Sequence, residues 1–301
     1  MQNNIPEFLY NLLNNQYGQN ITTQIVNGYN STRPITLRVN TLKSNTDYIK
    51  DILNRNNINY HDVSWYSDAL ILNNVSILQI KQLDIYKNGE IYLQSLSSMI
   101  PPLILSPQKD ENILDMAAAP GGKTTQMLAL SDNKAYITAT EKNKIRAERL
   151  KYNITKQNAN RINVMVSDAR NLDNFFSFDK ILLDAPCSGS GTLNINDEKQ
   201  LSSFTEDLIN RSSKFQSSLL EKAITLLKHN HEIVYSTCSI LKAENENILQ
   251  KFISKNKIEI VPIDYSTFSD IPLLPTSING TLCISPSDLY EGFFVAKLRK
   301  L

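Results

Sequence analysis

DMAAAPGGKT, residues 115–124, is the stretch of sequence that decides the fold. It follows the apolar segment ENIL (111–114), and TTQMLALS from Thr124 onward is typical of a helix. Small residues and glycines between a strand and a helix let the main chain come close to a ligand. In an open α/β sheet, nucleotide-like ligands bind at such a strand–turn–helix junction. The stretch therefore predicts a Rossmann-like α/β fold with a ligand at the edge of the sheet.

The loop matches neither common phosphate-binding motif. A P-loop ending in Gly122, Lys123 and Thr124 needs a glycine at position 117, which is alanine. The dinucleotide motif G-x-G-x-x-G is also absent. What remains is a small-residue loop of the kind that S-adenosylmethionine enzymes use, where no phosphate has to be bound. An ordinary tight turn is less favoured, because few turns need so many small residues in succession.

Length and composition indicate a globular protein. The 301 residues exceed one average domain, so we expect a main domain of about 200 residues and a smaller one. No apolar run approaches the roughly 20 residues of a membrane span, so we expect no membrane partner. The N-terminal MQNNIPEFLY lacks the features of a secretory or transit peptide, which predicts a cytoplasmic protein.

Cysteines, histidines and charge exclude some classes of site. Cys187, Cys238 and Cys283 cannot all pair and are too widely spaced for a metal knuckle. The three histidines form no HExxH-type pattern, so we expect no metal. The net charge of +1 gives no indication of nucleic acid, but residues 142–161 hold seven Lys and Arg side chains against the single acid Glu148. Such a run is usually a solvated helix face, and an RNA-facing role is the alternative.

Residues 1–88 are predicted to form a helical lead and a small α+β module. The predicted elements are a helical lead over 1–28, a strand at PITLRVNTL (34–42), a helix at TDYIKDILNRN capped by Thr46, and strands at INYHDVSWY and ALILNN. Arg38, Asn40 and Lys43 lie on the first strand and its exit, where an exposed strand face and an RNA contact are equally favoured. Residues 90–105 are interpreted as a link to the main domain.

Residues 89–301 alternate strands and helices in the order expected of a mostly parallel, doubly wound sheet. The predicted strands are 112–117, 135–141, 163–168, 179–186 and 231–238, with later ones near KIEIVPI and GFFVAKLRK. The clearest helix covers 213–229, and residues 266–290 cannot be assigned.

Acidic residues end several of the predicted strands, which places them at one edge of the sheet. Glu141 lies about 20 residues beyond the glycine loop, where an acidic side chain usually accepts hydrogen bonds from ribose hydroxyls. Asp168 is a candidate for selecting the adenine amino group, and Asp115 ends the first strand. One acid at a strand end is often only a helix cap. Three beside a small-residue loop predict a cofactor site.

Two cysteines are predicted to approach the same edge. Cys187 lies in DAPCSGSGT (184–192), and Cys238 lies in YSTCS (235–239). Cysteine is frequently buried, so either one alone would more often fill the core. A cysteine between Asp-Ala-Pro and a glycine-rich turn is expected to be exposed and polarised as a thiolate. Cys283, in GTLCIS, lies outside this pattern and is interpreted as structural.

DMAAAPGGKT, DAPCSGSGT and YSTCS, in this order and spacing, resemble segments of the Nop/Sun (RsmB-type) family of RNA cytosine-5 methyltransferases. RVNTLK (38–43), LQSLSSM (93–99) and GFFVAKL (292–298) are also similar to family segments, so the resemblance extends over most of the chain. The departures are mild. Ala117 stands for a usual cysteine, HNH (229–231) for a common Gly-Gly turn, and Glu291 for the usual aspartate.

The resemblance implies a class I methyltransferase domain over 89–301, with S-adenosyl-L-methionine as cofactor and ribosomal or transfer RNA as substrate. Cys238 would add to cytosine C6, and Cys187 would assist release of the product. Asp184 would hydrogen-bond the base, and Lys123 would reach the base or help lower a thiol pKa. The implied cofactor pocket is lined by Ala117, Ala118, Ala119, Pro120, Gly121, Gly122, Lys123, Glu141, Arg146, Asp168 and Asp184.

Other functions are less well supported. A non-catalytic RNA-binding or assembly protein on this scaffold predicts loss of a cysteine or of the loop, and both are intact. A DNA methyltransferase is disfavoured because such enzymes carry only one of the two cysteines, and the pair also disfavours a small-molecule enzyme. The choice between ribosomal and transfer RNA stays open. The protein is expected to be a monomer, with the small module and the basic run holding the RNA backbone.

Overall fold

The N-terminal part of the chain is helical. The computed structural model describes residues 5–301, so the first four residues of the predicted lead lie outside the described residues. Two helices, α1 (Glu7–Tyr17) and α2 (Gln19–Tyr29), form instead of one. Gly18 separates them because its φ of 78° is a left-handed conformation that glycine adopts at no steric cost.

A small α+β module follows, as predicted. It comprises β1 (Ile35–Val39), α3 (Thr46–Arg55), β2 (Asn59–Asp62), β3 (Ala69–Asn73), α4 (Ile77–Gln82), α5 (Asp84–Lys87) and β4 (Ile91–Leu93). Its antiparallel strands have the order β2-β3-β1-β4. The buried faces of these strands and of α3 enclose one apolar core, which includes Leu37, Val39, Ile49 and Leu70.

Two predictions about this region are corrected. The residue that caps α3 is Asn45 and not Thr46, because the Asn45 side chain accepts a hydrogen bond from the Tyr48 N–H. Residues 90–105 are also not a simple link. Ile91–Leu93 pairs with β1 as β4, and Leu96–Leu105 forms helix α6.

The predicted parallel strands are present. Their elements are β5 (Asn112–Asp115), α7 (Gly122–Leu130), β6 (Tyr136–Thr140), α8 (Lys144–Lys156), β7 (Ile162–Met165) and β8 (Phe178–Asp184). β5 pairs in parallel with both β6 and β8, and β6 pairs in parallel with β7, which gives the order β8-β5-β6-β7. Ile113, Leu114, Ile137 and Ile181 fill the core of this layer. Because parallel strands end at the same edge, Asp115 at the end of β5 and Glu141 directly after β6 lie at neighbouring strand ends there.

The C-terminal strands pair in antiparallel fashion. The elements are α9 (Glu198–Ser203), α10 (Glu206–Leu226), β9 (Leu227–Thr237), α11 (Glu246–Ile253), β10 (Ile258–Val261), β11 (Leu282–Ile284) and β12 (Phe293–Lys300). β12 pairs with β9, β10 and β11. The predicted helix 213–229 has different bounds: Thr205 caps an earlier start by accepting from the Leu208 N–H, and residues 227–229 belong to β9. Asn230 adopts a φ of 61°, which asparagine tolerates better than most residues.

The chain divides into two compact units. The first unit contains the chain up to Arg33 together with Leu183–Thr225 and His229–Leu301, and the second contains Pro34–Leu182 with Leu226–Lys228. The cysteine pair lies in the first unit, and the glycine loop lies in the second. The division into domains at residue 88 stays a prediction. None of the helices within residues 5–301 is long and apolar enough to cross a bilayer.

Candidate active site

The structure brings two of the three cysteines together in the first unit. The Sγ atoms of Cys187 and Cys238 lie 3.1 Å apart and share a hydrogen bond. Cys187 follows the end of β8, and Cys238 follows the end of β9. Cys283 is buried elsewhere, with its sulfur 3.7 Å from the Tyr17 hydroxyl, where no role in the reaction is assigned to it.

Cys187 holds its proton more tightly than an ordinary thiol. The hydrogen bond with Cys238 raises the pKa of the Cys187 thiol well above its ordinary value, and removal from solvent and the negative charges of Cys238 and Glu244 raise it further. Cys187 is therefore not the polarised thiolate that the sequence predicted, but a thiol that keeps its proton.

Backbone hydrogen bonds fix the loops that carry the two cysteines. The Ala185 N–H donates to the Ser236 carbonyl at 2.8 Å, and the Gly191 N–H donates to the Cys238 carbonyl at 2.9 Å. A Cβ on Gly191 would lie 2.0 Å from the carbonyl oxygen of Gly292, so the backbone at this point has room only for glycine. The glycine-rich turn after Cys187 therefore packs directly on the segment that leads into β12.

Glu244 connects the same two loops and was missed from the sequence. One carboxylate oxygen accepts from the Ser188 N–H at 2.7 Å, and the other accepts from the hydroxyls of Ser188 and Ser239, each at 2.6 Å. The hydroxyls of Ser190 and Ser239 are also hydrogen-bonded, at 2.8 Å. The available signal was the Cys-Ser pair repeated at 187–188 and 238–239, with a glutamate five residues after the second serine.

Asp184 lies beside the cysteine loops in the first unit. Its Oδ1 accepts a hydrogen bond from the Ser236 hydroxyl at 2.8 Å. Because this hydroxyl is supplied by β9, the Asp184 carboxylate is held in a defined orientation. The roles predicted for Asp184, toward the base and toward the cofactor, stay predictions.

The conformation of the glycine loop in the second unit is fixed by hydrogen bonding and packing. The Thr124 hydroxyl donates to the Asp115 carboxylate at 2.7 Å. Gly121 has a φ of 107°, and a Cβ on it would lie 2.9 Å from Leu150 of α8. A Cβ on Gly122 would lie 3.1 Å from the Tyr92 ring. These glycines are therefore needed for packing of the loop, whereas the sequence interpretation required them only for approach to a ligand.

Glu141 and Arg146 form one arrangement beside this loop. The Glu141 side chain is 3% exposed, and its carboxylate accepts from the Asn143 N–H at 2.8 Å and lies 3.4 Å from the Arg146 guanidinium. Arg146 also donates to the Ala119 carbonyl at 2.8 Å, which ties α8 to the loop. Residues Ala117 to Lys123 thus form a small-residue turn with a fixed acid at the neighbouring strand end. The Glu141 carboxylate is an acceptor that fits the ribose hydroxyls of a nucleoside.

Asp168 and Lys123 each have a partner within the second unit. Both carboxylate oxygens of Asp168 accept from the Arg170 guanidinium, at 3.0 and 2.7 Å, and these bonds lower the pKa of Asp168. Any contact of Asp168 with an adenine amine would be made by a carboxylate that Arg170 already orients. The Lys123 ammonium donates to the Ser98 hydroxyl at 2.8 Å.

A match to a family model decides the relationship of the chain to known proteins. The model described as 16S rRNA methyltransferase RsmB/F matches residues 102–299. The chain belongs to this family. A second model, for the RsmF/B-like methyltransferase ferredoxin-like domain, matches residues 5–78, which include most of the small module.

Curated relatives agree with RsmB/F membership. The chain is 33% identical over 277 residues to a ribosomal RNA small subunit methyltransferase F of Shewanella sp. strain ANA-3, covering 89% of this chain and 57% of the relative. It is also 33% identical over 283 residues to the protein of the same name in Shewanella woodyi, covering 90% and 58%. The chain thus spans little more than half the length of these relatives.

Solved structures confirm the predicted methyltransferase fold. A methyltransferase homolog from Pyrococcus horikoshii is 30% identical, with a TM-score of 0.85 over 98% of this chain and 95% of that chain. The structure of NSun6 from Pyrococcus horikoshii with SFG is 22% identical, with a TM-score of 0.87 over 100% and 99%, and shows the shared fold.

Two residues predicted for an exposed strand face or an RNA contact are buried in this RsmB/F chain. Arg38 is 0% exposed and donates to Gln94 at 3.2 Å and to Thr125 at 3.1 Å. Asn40 donates to the carbonyls of Gly89 and Gln157, each at 2.8 Å. Neither side chain is available to RNA, so this part of the prediction was wrong. These polar side chains were mistaken for surface residues because their hydrogen-bond partners are distant in sequence.

The basic run of residues 142–161 lies largely on helix α8. Most of the charged side chains on α8 are exposed, which fits a solvated helix face, and a contact with RNA stays a prediction. Within residues 5–301 no group of three or more His, Cys, Asp and Glu side chains is placed to hold a metal ion.

Proposed function

We propose that the chain transfers a methyl group from S-adenosylmethionine to C5 of a cytosine in ribosomal RNA, with Cys238 as the nucleophile. The observation that carries this proposal is the 3.1 Å separation of the Cys187 and Cys238 sulfurs in a member of the RsmB/F family. The names of the curated relatives favour ribosomal RNA over the transfer RNA that the sequence left open.

Cytosine C5 must be activated before it can accept a methyl group. The Cys238 thiolate would add to C6, and the electron pair of the C5–C6 double bond would then reside on C5 as an enamine-like nucleophile. Asp184 would hydrogen-bond N3 and the exocyclic amine as charge develops on the ring. S-adenosylmethionine, when bound, supplies an electrophilic methyl group.

Release of the product needs loss of the C5 proton and cleavage of the bond between C6 and sulfur. Formation of that bond would remove the negative charge of Cys238 and the hydrogen bond that is the main cause of the raised Cys187 pKa. Cys187 would then lose its proton to water and, as a thiolate, take the proton from C5. The C5–H electrons would restore the ring double bond, and the C6–S electrons would return to Cys238.

The second unit would hold the cofactor. Residues Ala117 to Lys123 would contact its main body, and the buried carboxylate of Glu141, fixed by Asn143 and Arg146, would accept hydrogen bonds from the ribose hydroxyls. Asp168 would contact the adenine amine. The role of Lys123 toward the base remains a proposal from the resemblance, and in the structure its ammonium contacts Ser98.

The test is transfer of tritium from labelled S-adenosylmethionine to unmodified small-subunit ribosomal RNA, with unmodified transfer RNA as the comparison. We expect incorporation into the ribosomal RNA and a bisulfite-resistant cytosine at the modified position. Incorporation only into transfer RNA would overturn the substrate assignment. Incorporation at an atom other than C5, seen as a bisulfite-sensitive product, would overturn the reaction.

A further inference from the structure

Glu244 is a fully buried acid to which the proposed reaction gives no part. It ends the short 3-10 turn Lys242–Glu244, which lies between β9 and α11. A buried carboxylate is costly unless hydrogen-bond donors surround it. Here three donors are supplied by the two serines that directly follow the two cysteines. The carboxylate therefore lies between the two loops that carry the cysteines.

The contacts of Glu244 are divided between the two cysteine loops. Its Oε1 accepts from the Ser188 N–H, and its Oε2 accepts from the hydroxyls of Ser188 and Ser239. Removing the carboxylate would leave one backbone donor and two hydroxyls without this acceptor. Glu244 therefore links the two cysteine loops, although its side chain belongs to neither.

Glu244 also acts on Cys187 through its charge. Its carboxylate contributes to the raised pKa of Cys187, together with Cys238. Tyr235 on β9 also interacts with Cys187, and its hydroxyl donates to the Glu244 carbonyl at 2.6 Å. Asp184 at the end of β8 acts on Tyr235 through its charge. Burial raises the pKa of Tyr235, so this side chain remains a neutral phenol. From α10, the neutral Gln216 faces the same region and donates to the Pro186 carbonyl at 3.0 Å.

We propose that Glu244 is a positioning residue for the cysteine pair. It ties the loop of Cys187 to the loop of Cys238, and its negative charge adds to the effect of Cys238 in keeping the proton on Cys187. This inference rests on the proposed function for its effect on turnover. Its effect on the thiols does not, because the proton affinity of Cys187 can be measured without RNA or cofactor.

The test uses Glu244→Gln in the full chain, with Glu221→Gln on the exposed face of α10 as the matched control. Iodoacetamide alkylation of each cysteine is followed by mass spectrometry across a range of pH. For Glu244→Gln we expect the midpoint for Cys187 to fall by about half to one pH unit. We also expect kcat to fall by about tenfold or more with KM for RNA unchanged, because misplaced reacting groups lower turnover. Glu221→Gln should match the wild type in all three measurements.

Glu244→Asp separates the two effects and serves if the glutamine variant does not fold. Aspartate keeps the negative charge, but its side chain is one methylene group shorter, so its carboxylate lies further from the two serines. We expect its Cys187 midpoint to stay near that of the wild type while kcat falls. Wild-type kcat in folded Glu244→Gln would overturn the positioning role. If Glu244→Gln does not fold, wild-type kcat in Glu244→Asp would overturn it. An unchanged Cys187 midpoint in Glu244→Gln would overturn the role of the charge. Absence of methyl transfer by the wild-type protein would count against the proposed function alone.

Discussion

The Sγ atoms of Cys187 and Cys238 lie 3.1 Å apart, although 51 residues separate them in the chain. Each cysteine follows the end of a strand, and each is followed by a serine that hydrogen-bonds to Glu244. Because the two sulfurs share a hydrogen bond, a change at Cys238 alters the proton affinity of Cys187. The two cysteines therefore form one chemical unit with two distinct positions.

Replacing the nucleophile should abolish the reaction. In Cys238→Ala no sulfur remains to add to C6, so we expect tritium transfer to ribosomal RNA to fall to background. The control is Cys283→Ala, because Cys283 is buried outside the pair. Once this variant is shown to be folded, it should retain tritium transfer. Full transfer by Cys238→Ala would refute the nucleophile assignment.

Replacing the second cysteine should stop the reaction at a later stage. In Cys187→Ala the C6 adduct can form, but the group assigned to take the C5 proton is missing. We expect a covalent complex of protein and methylated RNA that survives denaturing electrophoresis. The double variant Cys187→Ala/Cys238→Ala should form none. Free release of methylated RNA by Cys187→Ala at the wild-type rate would contradict the role of Cys187.

The pH dependence of alkylation should reveal the raised pKa of Cys187. A raised pKa means that Cys187 stays protonated, and therefore unreactive, through the pH range in which an ordinary thiol ionises. We expect Cys187 to be alkylated only at higher pH in the wild type. In Cys238→Ala the main cause of the shift is gone, so the Cys187 midpoint should move to lower pH. Peptide-resolved mass spectrometry measures both midpoints, and a shift in the opposite direction would contradict the assignment.

Removing the charge of Glu141 should weaken cofactor binding. Hydrogen bonds from ribose hydroxyls to a carboxylate are stronger than those to an amide, so Glu141→Gln should raise the Kd for S-adenosylmethionine by about tenfold. Isothermal titration calorimetry without RNA gives this value. Glu148→Gln on the exposed side of α8 is the matched control and should leave the Kd unchanged. Equal Kd values for both variants would remove Glu141 from the cofactor site.

Adding a methyl group between the cysteine loop and β12 should destabilise the fold. In Gly191→Ala the new Cβ would lie 2.0 Å from the Gly292 carbonyl oxygen, so the backbone must shift. We expect the free energy of unfolding in urea to fall by about 1–3 kcal/mol, the usual cost of overpacking. Gly18→Ala meets no atom within 4 Å, so its cost is the backbone strain of an alanine at φ 78° without a clash. A free energy of unfolding for Gly191→Ala equal to that of the wild type would contradict this account.

The sequence predicted the parts of the fold that local pattern determines. Strands β5 to β8 and the small module were found because apolar periodicity and turn residues mark them directly. Boundaries were less accurate: the start of α10 depends on the Thr205 cap, and Thr46 was chosen where Asn45 caps α3. Either of two neighbouring polar residues can cap a helix, so composition alone does not decide between them.

Residues whose importance depends on distant partners could not be predicted. Arg38 looks like a surface residue until its hydrogen bonds with Gln94 and Thr125 are known, and these partners lie 56 and 87 residues further along the chain. Glu244 was missed for the same reason, because its hydrogen-bond partner Ser188 lies 56 residues away in the chain. The cysteines, in contrast, were identified because the motifs around them are long and resemble a known family.

The closeness of the two sulfurs makes the protein sensitive to oxidation. Cys187 and Cys238 are free thiols, and a peroxide that removes two electrons and two protons from the pair could join them as a disulfide after a small movement. Such a bond would consume the sulfur assigned to attack the base. A reductant during purification should therefore be needed to keep the protein active, and its later addition should restore activity to protein stored in air.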